Sequence, residues 1–259
     1  MSALLEVKNV TKMFGGLEAN SNISFSVDEQ EILSVIGPNG AGKSTLFKMI
    51  TSFLSTTSGD VFFKGEKISN LSPHVVARKG VVRTFQEVTI FKSMTTRESI
   101  IVAQHLRSKA SLAGYFFNSK SARNDIAEFG ETADRIIEFL DLGDIRDELA
   151  SNLPQGNLRA LGIAIGLATD PEILLLDEPF AGMNHEETMR TVDLVRKVRD
   201  SGVTILLVEH DMPAVMAISD RVVVLNFGIK IAEGTPEEIQ NDEKVIEAYL
   251  GSEDMTIGI

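Results

Sequence analysis

The sequence predicts an α/β protein with a mainly parallel sheet, and three observations carry that reading. First, Ile173-Leu174-Leu175-Leu176, Val203 to Val208 and Arg221 to Leu225 are near-continuous apolar runs, as strands buried on both faces should be. Second, stretches with helical spacing separate them, near residues 185–200 and 211–218. Third, Glu31 to Ile36 reads as a strand that ends in a glycine-rich turn at Gly37. Leu46, Met49 and Ile50 then recur at helical intervals. Parallel strands need long crossover connections, and helices between strands supply them.

The remaining elements follow in chain order. Leu4-Leu5-Glu6-Val7-Lys8-Asn9-Val10 and Ile23-Ser24-Phe25-Ser26-Val27 alternate as half-buried strands do, and shorter β-like stretches occur at Val61-Phe62-Phe63 and Val81 to Phe85. From about residue 97 to 168 the pattern is mainly helical. Ile126, Phe129, Ala133, Ile136, Ile137 and Leu140 form one apolar stripe within it. No internal repeat, low-complexity segment or linker interrupts the chain. The expected organisation is a single domain over residues 1–259, with a core from 1–86 and 170–259 and a helical insertion of about 87–169.

Composition narrows the function. A chain of 259 residues buries roughly three quarters of its unfolded surface and needs no staple. Its net charge of −12 argues against a general nucleic-acid or anionic-membrane binder, whose phosphate contacts need positive charge. The absence of cysteine removes disulfides, thiolate metal sites and a Cys nucleophile. The N-terminus carries an acid by its sixth residue, unlike a secretory signal, and the longest apolar runs fall far short of the ~20 residues of a spanning helix. A soluble protein is expected, with any membrane role exerted through a partner.

Gly37-Pro38-Asn39-Gly40-Ala41-Gly42-Lys43-Ser44, followed by Thr45, fits G-x-x-x-x-G-K-[ST] between a strand and a helix. Glycines there let backbone N–H groups turn inward around phosphate oxygens. Lys43 reaches the β- and γ-phosphates, and the Ser44 hydroxyl is placed to ligate Mg²⁺. The strand 173–176 delivers two carboxylates at its end, Asp177 and Glu178, where open α/β sheets bind ligands. Asp177 is expected to hold Mg²⁺ through water, and Glu178 to orient or deprotonate the attacking water. Gln86, after Thr84-Phe85, is a candidate for Mg²⁺ or the nucleophilic water. His210, after strand 203–208, is a candidate to hold a γ-phosphate. Taken alone, Gln86 is a turn residue and His210 a solvated loop histidine or a cap.

In their order along the chain these pieces resemble an ABC-transporter ATPase subunit. The resemblance rests on Gly37 to Thr45, Gln86, Leu153-Pro154-Gln155-Gly156-Asn157, Asp177-Glu178 and His210, and it covers almost the whole chain. It implies the ABC ATPase fold: a P-loop NTPase core with a mainly parallel sheet, an N-terminal antiparallel β portion and an inserted α-helical subdomain. It also implies ATP and Mg²⁺ as cofactors, and adenine stacked on Phe14. Leu153, Gly156 and Asn157 then stand in a signature that completes the ATP site of a second subunit. Two subunits, identical or related, sandwich two ATP molecules, bind integral-membrane permease subunits and serve an extracytoplasmic solute-binding protein; nucleic acid has no part. The subunit would be cytoplasmic, peripheral at the inner face of the cell membrane.

Phe14-Gly15-Gly16-Leu17, Arg83-Thr84-Phe85-Gln86, Val102-Ala103-Gln104-His105, Ala181-Gly182-Met183-Asn184, Glu209-His210-Asp211-Met212 and Ala248-Tyr249-Leu250-Gly251 are similar to branched-chain amino-acid transporter ATPases. Leucine, isoleucine or valine is therefore the expected solute, with an amide, urea or another amino acid as the alternative. The signature departs from the family's usual Leu-Ser-Gly-Gly-Gln, since Pro154 has neither hydroxyl nor N–H and Gln155 replaces a glycine. Asn184 reads equally well as a helix N-cap closed by Glu187. Val88, Ile90, Phe91 and Met94 are permease contacts or ordinary packing. Two rivals remain: a soluble ATP-dependent switch without a permease, and a subunit that binds ATP without hydrolysing it. A GTPase is a poorer fit, because no Asn-Lys-x-Asp segment occurs.

Overall fold

The structure is a computed structural model that describes residues 3–84 and 92–250. Strands β1 (Leu5–Phe14) and β2 (Leu17–Val27) open the chain, followed by β3 (Ile32–Ile36), α1 (Lys43–Ile50), β4 (Ser58–Phe63) and the short β5 (Glu66–Lys67). Helix α2 (Pro73–Arg78) leads to β6 (Val81–Arg83). Four helices come next: α3 (Thr96–Ala103), α4 (Leu112–Phe116), α5 (Lys120–Phe139) and α6 (Gln155–Ala168). Strand and helix then alternate through β7 (Ile173–Asp177), α7 (His185–Asp200), β8 (Thr204–Val208), α8 (Met212–Ile218), β9 (Arg221–Asn226) and β10 (Ile229–Gly234). Helices α9 (Pro236–Gln240) and α10 (Glu243–Leu250) close the described chain.

Two sheets organise these elements. The six-stranded sheet runs β10-β9-β3-β8-β7-β6, parallel except for β10 at one edge. Strands β3, β7 and β8 are buried at every position, which matches their continuous apolar runs. The smaller sheet, β2-β1-β4-β5, is antiparallel, and its alternating burial reflects one packed face. Its inner face shares a core with α1 and with β3, through Val7, Phe25, Val61, Leu46 and Val35.

Several sequence expectations shift in detail. Strands β1 and β2 extend beyond the alternating segments, because register shifts let the ladder continue past Val10. The proposed apolar stripe on α5 is real for Phe129, Ala133 and Ile137, but Ile126 is 55 % exposed and does not belong to it. Past Ala122, the buried α5 positions nearest the helix start are Asp125 and Phe129, so Ile126 lies off the packed face. A Cβ at Gly166 would lie 2.8 Å from Leu174 Cδ1, so α6 packs closely against β7 there. Phe85, Gln86, Val88, Ile90 and Phe91 lie outside the described residues.

Candidate functional site

Strand register assembles the site. Val35 pairs with Val208, Ile36 with Val224, and Asp177 with Val208. The next residues, Gly37, Glu178 and Glu209, therefore leave adjacent strands side by side at the carboxyl edge of the sheet.

The turn from β3 to α1 needs its glycines. Gly37 has φ +147° and Gly42 has φ +97°. A Cβ at Gly37 would lie 2.0 Å from the Leu225 carbonyl oxygen, and one at Gly42 would lie 2.6 Å from the Ala19 carbonyl oxygen. Asn20 reaches across from β2 and donates through Nδ2 to the Gly42 carbonyl at 3.2 Å, tying the antiparallel sheet to the loop. Lys43 is 7 % exposed, and its Nζ donates to the carbonyls of Gly37 at 2.6 Å and Pro38 at 3.1 Å. Burial lowers the pKa of its ammonium, while the carboxylates of Glu178, Asp177 and Glu209 pull the other way. Ser44 lies exposed in the first turn of α1.

Asp177 is almost fully buried and forms an ion pair with the Arg83 guanidinium. Its other oxygen, Oδ1, has no hydrogen-bond partner among the described residues. A buried carboxylate oxygen left in that state suits a hydrated divalent cation, so Asp177 and Ser44 fit Mg²⁺. Glu178 takes the left-handed conformation, φ +50°, which strains a side chain of its size and recurs at functional positions. Its N–H donates to the Val208 carbonyl at 2.9 Å, which pins the strained residue to the end of β8. His210 Nδ1 stands 4.0 Å from Glu178 Oε1.

Two residues that sequence reasoning missed hold this arrangement. Glu209 is fully buried; its Oε1 accepts from Phe180 N–H at 2.7 Å and its Oε2 from His210 N–H at 2.9 Å. It therefore joins the turn after Glu178 to the turn that carries His210. Burial pushes its carboxyl above the ordinary range, against the opposing backbone N–H groups of Phe180, His210 and Asp211. Its signals in the sequence are its place directly after a largely apolar strand and its membership of the Glu209-His210-Asp211-Met212 segment. Arg83 was quoted only as part of a motif, and its pairing with Asp177 depends on the alignment of β6 with β7. On the far side of the loop, Tyr249 packs with the cluster around Ile36. Burial raises its hydroxyl to about 12, with the Gly37 backbone acting in the opposite sense.

The other expected residues sit farther from this cluster. Phe14 ends β1, half exposed, with Lys12 Nζ 5.2 Å from its ring centroid. Leu153, Gly156 and Asn157 stand at the head of α6, where Pro154 is the N-cap and offers no side-chain bond. The first bond of that helix runs from Leu158 N–H to the Pro154 carbonyl, which leaves the preceding amides without intrahelical acceptors. The nearest groups to a Cβ at Gly156 belong to Met183 and Glu187, at 3.7 Å. Asn184 is the N-cap of α7 in a full capping box with Glu187.

A phosphate-cradling loop, paired carboxylates and a histidine at the carboxyl edge of one parallel sheet, with an antiparallel sheet beside it, define a P-loop ATPase of the cassette class. Comparison with known proteins gives the family. The ABC transporter profile matches residues 20–181, and that of the branched-chain amino acid ATP-binding cassette transporter matches residues 230–255. The chain belongs to the ABC transporter family and is an ATP-binding, ATP-hydrolysing cassette subunit.

It is 44 % identical over 249 residues to the high-affinity branched-chain amino acid transport ATP-binding protein BraF of Pseudomonas aeruginosa, covering 96 % of this chain and 98 % of that one. LivG of Escherichia coli, which carries the same descriptive name, matches to the same extent. A probable LivG of Archaeoglobus fulgidus is 37 % identical over 259 residues, with 98 % of both chains covered. Among solved structures, a nucleotide-free ATP-binding cassette from an ABC transporter superposes with a TM-score of 0.85 at 33 % identity. That match covers 97 % of this chain and all of the other.

Proposed function

We propose that this subunit couples ATP hydrolysis to the import of branched-chain amino acids, working as a dimer on integral-membrane permease subunits at the inner face of the cell membrane. The observation that carries the chemistry is the register that sets Gly37, Glu178 and Glu209 side by side. Lys43 and the loop amides bind the phosphates of ATP. Ser44, Asp177 and Gln86 would hold Mg²⁺, which when bound would supply positive charge against the phosphates of ATP. Glu178 takes the proton of the attacking water, and its strained backbone aims the carboxylate. His210, steadied through the Glu209 bridge, contacts the γ-phosphate. Phe14 stacks on adenine. Gly156 and Asn157 present open amides at the head of α6 to the ATP of the partner subunit, with Leu153 just before that helix.

The substrate class rests on the likeness to BraF and LivG and on the C-terminal match over residues 230–255. A largely apolar cavity of about 510 Å³ supports a permease docking site. Phe53, His74, Val82, Leu106, Gly162 and Ile165 line it, at the junction of the sheet and the helical region. No helix among the described residues is long and apolar enough to cross a membrane, so attachment runs through such contacts.

Glu178→Gln tests the chemistry. The variant should bind Mg-ATP, hydrolyse it at least ~100-fold more slowly and accumulate as a dimer when sized by light scattering. Wild-type turnover would remove Glu178 from its role. Deletion in cells should reduce uptake of labelled leucine; persistent leucine uptake with loss of urea or amide uptake would reassign the solute.

A further inference from the structure

The acidity of this chain is unevenly spread. No Asp or Glu occurs between Glu98 and Asp125, whereas Arg107, Lys109, Lys120 and Arg123 all fall in that stretch. There α4 and the start of α5 form a hairpin that holds large apolar side chains in water. Leu112 is 90 % exposed, Phe116 83 % and Phe117 78 %. The two phenylalanine rings meet edge to face, 5.1 Å between centroids. Ile126, one turn beyond Arg123 on α5, adds a fourth exposed apolar group.

The hairpin is tightly tied. Asp125 is buried, and its Oδ2 accepts from Ser108 Oγ and the N–H groups of Lys109 and Ala110, each at 2.9 Å, and from the Tyr115 hydroxyl at 3.1 Å. Ser111 and Ser119 cap α4 and α5, and Ser119 N–H donates to the Gly114 carbonyl at 2.8 Å. This network keeps Leu112, Phe116 and Phe117 from folding back onto the protein. A fixed cluster of exposed apolar side chains marks a contact surface.

We propose that the hairpin from Leu112 to Arg123 inserts into the interface of an anionic lipid bilayer, its apolar tip below the headgroups and its cations among their phosphates. Charge selects this occupant. Arg107 and Lys109 already pair with Asp170 and Glu128, at 3.5 and 3.2 Å. Lys120 and Arg123 are exposed and make no ion pair among the described residues, so they meet the phosphates. An apolar tip beside free cations is the composition of interfacial segments. The net charge of −12 excludes a general attraction to such membranes. It does not exclude a local contact, because repulsion from charges more than ~10 Å away is screened. Attachment is therefore weak and salt-sensitive, an aid to docking. His105 and Leu106, just before the hairpin, line the groove assigned to the permease. Only the direction in which the hairpin points rests on that reading.

The test uses the purified full chain and no permease. Vesicles of phosphatidylcholine alone are compared with vesicles of equimolar phosphatidylcholine and phosphatidylglycerol, and binding is read by co-sedimentation. The chain should pellet with the anionic vesicles only, and salt should release it. Lys120→Gln with Arg123→Gln should weaken binding ~30-fold, from about 1 kcal/mol per cation. Leu112→Ser with Phe116→Ser and Phe117→Ser should abolish it. Both variants should keep wild-type ATP turnover, which shows that they fold. Failure of the wild type to pellet, equal binding to both vesicles, or variants that bind like wild type would overturn the proposal. So would protection of the hairpin from proteolysis by permease subunits in detergent without lipid. None of these outcomes bears on leucine uptake or on Glu178.

Discussion

Gly37→Ala and Gly40→Ala form a matched pair in which the structure fixes the difference. Both glycines have positive φ, +147° and +81°; alanine at Gly40, nearer the left-handed well, costs about 1–2 kcal/mol in backbone strain, and at Gly37 at least as much. A stiffer unfolded chain returns about 0.4–1 kcal/mol of that. At Gly40 nothing lies within 4 Å of the new Cβ, and the net loss should be about 1 kcal/mol. At Gly37 the Cβ lands 2.0 Å from the Leu225 carbonyl oxygen, which is backbone and cannot rotate away. Leu225 lies in β9, whose parallel pairing with β3 places Val224 opposite Ile36. Relief therefore requires those two central strands to part, by about 1 Å or more. The loss should reach about 4 kcal/mol, a large share of the 5–15 kcal/mol typical of a whole domain. Urea unfolding of the two variants beside wild type reads this directly, and nucleotide titration should show that Gly37→Ala also abolishes ATP binding. Equal unfolding midpoints for the two variants would refute the reasoning, because the close approach of β9 and the more extreme φ both penalise Gly37 alone.

Lys43→Met should abolish tight Mg-ATP binding while the unfolding transition survives; unchanged affinity in a titration would remove Lys43 from the phosphate contact. Arg83→Met should cost about 3–5 kcal/mol in urea unfolding, because it strands the buried Asp177 without its partner. A loss under about 1 kcal/mol would mean that the pair contributes little. Asp134 accepts from Arg97 and Arg146, which hold its pKa down at about 2 against an ordinary 3.8. A depressed carboxyl pKa stabilises the fold above the unfolded value and loses that contribution as pH falls through the folded one. Asp134→Asn should therefore be less stable than wild type at neutral pH, with the gap closing between about pH 4 and pH 2. A gap independent of pH would assign the effect to packing.

Much of the core could be read from local pattern. A fully buried parallel strand has to be apolar along most of its length, so Ile173 to Leu176 and Val203 to Val208 stood out, the latter observed as Thr204 to Val208. The phosphate loop was legible for a similar reason. Its glycines answer to backbone geometry within a few residues, and Asp177 and Glu178 follow directly from the strand that delivers them. The helical stripe was legible only in part. Periodicity alone placed Ile126 on the packed face, whereas the structure leaves it in solvent beside an exposed hairpin.

What stayed hidden depends on which distant segments are neighbours. Arg83 and Asp177 are far apart in sequence and meet because β6 and β7 are adjacent and parallel. Glu209 looks like an ordinary acid after a strand. Only the side-by-side exit of β7 and β8 turns it into a bridge between Phe180 and His210. The sequence by itself determined the buried parallel strands, the phosphate loop and the paired carboxylates, because each is set by the conformational and burial needs of contiguous residues, whereas the edge strands β5 and β10 escaped it. The tertiary structure decided which charges are buried together, how Lys43 is held and where apolar groups are left in water. Those outcomes depend on strand order, register and local dielectric, which no short stretch of sequence encodes.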